Sequence, residues 1–188
     1  MKKFASLLLA FAMIVGMLTG CGGDSGTSST GEAPAQEVTV AISSTFATLD
    51  PALISTTHMA HVYGNMGSNF YRTDANGVLQ YDLGESMEKS EDGLTYTFTI
   101  KEGLKWSDGE PLTAEHFVYG IKRAIGYGPD NAYTKKSLVN FIAGAEEAAN
   151  AAMDVADMTN VGVTALDDTT FQATLSTPCP YFERIFSG

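Results

Sequence analysis

Apolar residues recur at regular intervals in some stretches of the chain, and the interval changes along its length. The sharpest alternation runs through Leu94-Thr95-Tyr96-Thr97-Phe98-Thr99-Ile100. Leu94, Tyr96, Phe98 and Ile100 fall on one face and three threonines on the other. A period of two in aromatic and β-branched residues predicts a half-buried strand of an antiparallel sheet. Weaker alternation predicts strands over Glu37–Ile42, with Val38, Val40 and Ile42 on one face, and over Met87–Ser90. Val161–Leu166 and Thr170–Leu175 predict a hairpin across Asp167-Asp168, with Phe171, Ala173 and Leu175 inward.

Elsewhere the spacing is helical. Thr56 to about Asn69 carries Met59, Val62, Tyr63 and Met66 on one side. Thr113 is a good N-cap for a helix that places Phe117, Ile121 and Ile125 on one face, with Val118 and Ala124 beside them. Glu115 in its first turn and Lys122 and Arg123 near its end suit the helix dipole, and Gly126 and Gly128-Pro129 stop it. A further helix is predicted from about Asn131 to Asn150, interrupted at Gly144. Turns are predicted at Asp74-Ala75-Asn76-Gly77, Ser90-Glu91-Asp92-Gly93 and Trp106–Pro111. Ser43–Thr48 breaks the first strand's pattern. It leads into Leu49-Asp50-Pro51, where the proline biases Asp50 away from helix. The order strand, helix, hairpin, helix, helix, hairpin predicts an α+β fold.

The chain has 188 residues, 44% of them hydrophobic, enough for one domain or for part of a larger protein. Twenty-two acidic against 11 basic residues give a net charge of -11, which excludes nucleic acid as a partner. Two cysteines exclude a disulfide framework and a four-cysteine zinc site.

The N-terminus reads as an address. Met1-Lys2-Lys3 is followed by an uncharged run, Phe4–Leu18, which is shorter than the roughly 20 residues that span a bilayer. The run ends Leu18-Thr19-Gly20-Cys21 and resembles a bacterial lipobox, in which the cysteine takes diacylglycerol and becomes the mature N-terminus. Residues 1–20 are therefore expected to be a lipoprotein signal peptide. Residues 21–36, with no apolar side chain larger than Ala or Pro after Cys21, are expected to be a flexible tether. Cleavage would remove two basic residues and no acid. So acidic a body has no attraction to an anionic membrane, and attachment is expected through lipid on Cys21.

Catalytic signals are weak. No Ser-His-Asp arrangement, glycine-rich phosphate loop or Cys-x-x-Cys pair stands out. Asp108-Gly109 reads as a turn, without a partner carboxylate to make Asp108 an acid catalyst. His58 and His61 lie three apart on a predicted helix and could share a metal, but no third ligand accompanies them. Leu94, Tyr96, Phe98, Ile100, Trp106 and Phe117 are expected in the core, and Cys179 as a small core residue. No enzyme activity, cofactor or metal is expected.

Several segments then fall into one order: Thr48-Leu49-Asp50-Pro51, Gly84-Glu85-Ser86-Met87-Glu88, Asp92–Phe98, Lys105-Trp106-Ser107-Asp108-Gly109, Leu112–Tyr119 and Gly162–Asp168. From residue 37 to 188 the chain resembles the oligopeptide/dipeptide-binding family of bacterial solute-binding proteins, the receptors of peptide-importing ABC transporters. It departs from the family at His116, where an aspartate is usual, and in length, since family members are much longer.

The resemblance implies a periplasmic-binding-protein-like (type II) fold of mixed α/β and α+β character. Residues 37–56 would start lobe I, 57–176 would form an inserted α+β subdomain, and 177–188 would return to lobe I in a truncated chain. It also implies a peptide held between two lobes that close on a hinge. Ligand contacts are expected at Ser43, Ser44, Thr45 and Phe46, mainly through backbone, and at Tyr133. The expected partners are a peptide and the permease subunits of an ABC transporter, with the protein a monomer on the extracellular or periplasmic side of the cell membrane. The alternative implied by some relatives is a carrier of a metal complex or haem.

Overall fold

The structure, a computed structural model, describes residues 38–42, 44–45, 48–127 and 135–187. Residues 41–188 form one unit, and residues 38–40 lie outside it. The described elements are α1 (Thr57–Met66), β1 (Tyr71–Thr73), β2 (Leu79–Tyr81), β3 (Gly84–Lys89), β4 (Thr95–Ile100), α2 (Ala114–Gly126), α3 (Ala145–Asn150), β5 (Val163–Ala165) and β6 (Thr170–Thr174). Two sheets result: the hairpin β1-β2, and a four-stranded antiparallel sheet in the order β3-β4-β6-β5.

The period of two decides which strand is central. In β4 Tyr96, Phe98 and Ile100 are buried and the threonines half-buried, and the strand pairs on both sides, with β3 and with β6. Phe98 lies opposite Phe171 in register, and the two rings stack at 4.8 Å. Phe117 of α2 stacks on Phe171 at 5.2 Å, so the helix lies over the same face. Phe70 meets Phe98 edge-on at 5.1 Å, and Phe186 reaches Phe98 at 4.8 Å. Each such ring contributes about 1.5–3 kcal/mol by leaving water, and the paired rings somewhat more. On the threonine face Gln172 Nε2 donates to Thr97 Oγ1 at 3.2 Å.

The turns form where the sequence places them. Asp74 Oδ1 accepts from the N–H groups of Asn76 and Val78, and Gly77 takes a φ of 78°. Asp92 and Asp167 close their turns with the same kind of side-chain contact. These bonds hold the Asp74 and Asp167 carboxyls below the ordinary carboxylate range, and at Asp92 the Ser90 hydroxyl, donating at 2.6 Å, does so ahead of the Leu94 N–H. The hairpin that the Asp74 turn closes was not predicted, because its strands are only three residues long.

Other expectations need correction. Glu37–Ile42 is not a strand over its described residues: Val38 and Val40 are 83% and 73% exposed, and alternation makes no strand without a neighbouring edge to bond. The strand expected at Met87–Ser90 starts at Gly84, and that expected from Leu94 starts at Thr95. Over its described residues, the helix expected from about Asn131 to Asn150 is a π-helical turn, Lys135–Val139, followed by α3. The expected interruption at Gly144 is present, with a φ of 73°. Trp106 is 47% exposed rather than in the core. It sits at the base of the turn closed by its own bonds with Glu110 and Gly109, and its ring leans edge-on to His116 at 5.4 Å.

Leu94 and Phe117 pack partly buried against the core, and Cys179 is buried, its carbonyl accepting from the Tyr96 hydroxyl at 2.9 Å. The chain's last described turn, Phe182–Phe186, is a 3-10 helix.

Candidate functional site

The predicted ligand segment leads into Thr48-Leu49-Asp50-Pro51, and local chemistry fixes how it arrives. Thr48 Oγ1 accepts from the Asp50 N–H at 3.0 Å, and Asp50 Oδ1 accepts from the Ala52 N–H at 3.0 Å. Asp50 is extended, with a φ of -66° and a ψ of 118°, as a residue before proline prefers. Pro51 occupies the first position of a 3-10 turn, Pro51–Leu53, where its missing N–H costs nothing. The stretch read as plain loop is thus a capped turn.

The same carboxylate faces α2. Arg123 donates from Nη1 to Asp50 Oδ1 at 2.7 Å and from Nη2 to Oδ2 at 2.5 Å, the two-pronged geometry of a planar guanidinium on a carboxylate. The side chains are 22% exposed for Asp50 and 32% for Arg123. The guanidinium carbon also lies 5.2 Å from the centre of the Tyr127 ring, one turn further along the helix. The Arg123 contact holds the Asp50 carboxyl below its ordinary range, the Ala52 N–H adds to this, and partial burial opposes it. Arg123 is shifted upward by the same contact, so both partners stay charged.

Of the predicted ligand contacts, Ser44 and Thr45 are exposed, six and five residues before Asp50, in neither strand nor helix. Ser43, Phe46 and Tyr133 lie outside the described residues, as does Cys21 with the whole of residues 1–36. No described helix is long and apolar enough to cross a membrane.

His58 and His61 share α1, one half-buried and the other exposed, and no group of three metal-ligating side chains occurs among the described residues. His116 serves its own helix: the ring Nδ1 accepts from the Thr113 N–H at 3.0 Å and closes a capping box at the start of α2. A shallow depression of about 400 Å³ opens beside α3, lined in part by Asn140, Glu146, Glu147 and Ser176. It shares no residue with the predicted ligand segment.

The Asp50–Arg123 pair was not anticipated. Asp50 read as a loop residue kept out of helix by Pro51, and Arg123 as a helix-end charge; Asp50 is extended, as expected, but caps a 3-10 turn, and Arg123 lies in the last turn of α2. Their partnership spans 73 residues and leaves no periodic signal.

Residues 78–188, from just before β2 to the end of the chain, match the model of the bacterial extracellular solute-binding proteins, family 5 (middle region). The chain belongs to this family. Among similar proteins, a dipeptide-binding protein of Lactococcus lactis subsp. cremoris is 36% identical over 143 residues, which are 75% of this chain and 25% of that protein. The oligopeptide-binding protein OppA of Bacillus subtilis is 32% identical, with 98% of this chain and 34% of that protein covered. The crystal structure of Haemophilus influenzae OppA in complex with the peptide RPPGFSPFR superposes with a TM-score of 0.66 at 27% identity, over 74% of this chain and 26% of that one. The fold is therefore that of the OppA-type periplasmic binding proteins, and the chain spans a quarter to a third of the length of these relatives.

Proposed function

We propose that this family 5 chain is the part carrying residues 1–188 of a substrate-binding lipoprotein of an ABC importer. It captures oligopeptides or dipeptides outside the membrane and delivers them to the permease subunits. The observation that carries the proposal is the family match over residues 78–188, joined to a fold shared with a protein solved around a bound peptide.

In this reading residues 37–56 begin lobe I, 57–176 form the inserted subdomain and 177–188 return to lobe I. The peptide lies between two lobes that close by a hinge, its backbone bonded like an added strand. Ser43, Ser44, Thr45 and Phe46 offer mostly backbone groups to it, and Tyr133 a ring. The protein binds and releases as a monomer and catalyses nothing. Cys21 carries the lipid, and residues 21–36 hold the body off the membrane.

Calorimetry of the protein expressed from its complete gene, with mixtures of two- to nine-residue peptides, tests the central reading. Micromolar or tighter binding is expected; heat from a metal complex or haem but from no peptide would reject it. A His58→Ala/His61→Ala variant should bind peptide unchanged. Replacing Cys21 with serine should move the protein from the membrane fraction to the medium or periplasm, and membrane retention would remove the anchor.

A further inference from the structure

We infer that Asp50 and Arg123 form a latch that sets the position of the ligand segment at Ser44 and Thr45 by fastening its downstream end to α2. The inference rests on the ligand role proposed for that segment. Asp50 does two things with one carboxylate. Its Oδ1 caps the Pro51–Leu53 turn through the Ala52 N–H, while both oxygens take the Arg123 fork. The turn and the helix are thus tied through a single group, and neither can shift without breaking a charged pair of bonds.

Arg123 cannot swing freely either. Its guanidinium lies over the Tyr127 ring, and the opposite face of its helix buries Val118, Ile121 and Ile125 in the core. The rigidity of the sheet and helix therefore reaches Asp50. Thr48, bonded to the Asp50 N–H, carries it one step closer to Thr45. A segment fixed at one end five residues away samples far fewer positions than a free one, so less order has to be imposed when ligand binds. Asp50 and Arg123 are positioning residues here: they act on ligand through the segment they hold.

The test compares the wild-type protein from its complete gene with Arg123→Ala, Arg123→Lys, Asp50→Asn and the double variant Asp50→Asn/Arg123→Ala. Hydrogen exchange is read at the Asp50, Ala52 and Leu53 amides and at Phe98 and Phe171 as sheet controls. Affinity is read by calorimetry with the nonapeptide RPPGFSPFR and a dipeptide mixture.

In Arg123→Ala, protection at Asp50, Ala52 and Leu53 should fall at least tenfold while the sheet amides stay unchanged, and peptide affinity should weaken five- to twentyfold. Arg123→Lys, which keeps the charge but not the fork, should lie in between, and the double variant should be no worse than the stronger single. Unchanged exchange at the turn overturns the latch, as does lost turn protection with full affinity. If Arg123→Ala loses sheet protection as well, Arg123→Lys and Asp50→Asn decide by the same two readouts. Should the wild-type protein bind no peptide, the proposed function falls, and the exchange arm still decides whether the pair holds the turn.

Discussion

Asp50 concentrates several requirements in one side chain: a turn that needs a cap, a proline that needs an extended predecessor, and a helix arginine that needs a counter-charge. Its carboxyl is held below its ordinary value of 3.8, chiefly by Arg123. A depressed carboxyl stabilises the fold above that ordinary value, and the contribution fades as the pH falls through the lower folded value. Asp50→Asn should therefore cost about 1 kcal/mol at pH 7, and the gap to wild type should close towards pH 2. Urea titrations at pH 7, 4 and 2.5 read this; a gap independent of pH would show that the charge is not what matters. Two glycines with left-handed backbone separate strain from space. At Gly77, φ is 78° and nothing stands near a Cβ, so Gly77→Ala should cost about 1 kcal/mol. At Gly144, φ is 73° and a Cβ would run into the Asn160 carbonyl, so Gly144→Ala should cost about 3 kcal/mol, measured by thermal unfolding. The turn at Gly77 and the extended backbone of Asp50 before Pro51 are legible in the sequence because they act between near neighbours. The Arg123 fork and the Asn160 clash are not, since their partners come from distant stretches.

At the scale of the element, α2 shows a cap that works with an unusual residue. His116 stands at N3, the capping-box position that Glu or Gln usually fills, yet its Nδ1 accepts the Thr113 N–H as a carboxylate oxygen would. His116→Ala should lower stability by about 0.5–1 kcal/mol, and His116→Asp should restore it; equal stability of all three would show the ring bond to be idle. Start and stop signals found this helix, and the face given to it holds: Val118, Ile121 and Ile125 are buried, Phe117 packs partly buried on the core, and Ala114 joins the stripe. Strand periodicity found β4 and the β5-β6 hairpin. It failed at β1 and β2, where three residues are too few to show a period, and at Val38–Ile42, where a period is present but the residues form no strand. Helical periodicity failed past Lys135, where Leu138 sits in a π-helical turn and Ile142 in an isolated bridge with Leu175 rather than in one long helix.

At the scale of the whole molecule, the rings of Phe70, Phe98, Phe117, Phe171 and Phe186 form one cluster between the four-stranded sheet and α2. Phe171→Ala should cost about 3–5 kcal/mol and abolish cooperative unfolding if the rest of the core cannot collapse into the space. Residues 41–188 form one unit, so deleting residues 1–36 should shift its unfolding by less than about 0.5 kcal/mol, checked by near-ultraviolet circular dichroism on heating. A larger shift would mean that the leading segment packs on the body. By itself the sequence determined what neighbouring residues enforce on one another: the alternation of β4, the caps and turns, the acidic charge, and the ordered set of segments that marks the family. Tertiary structure alone decided that Trp106 stays at the surface, that Val38 and Val40 are exposed and outside any strand, and that Asp50 meets Arg123. The reason is physical: burial and ion pairing depend on which remote surfaces come together, and a chain read residue by residue carries only the local part of that free energy.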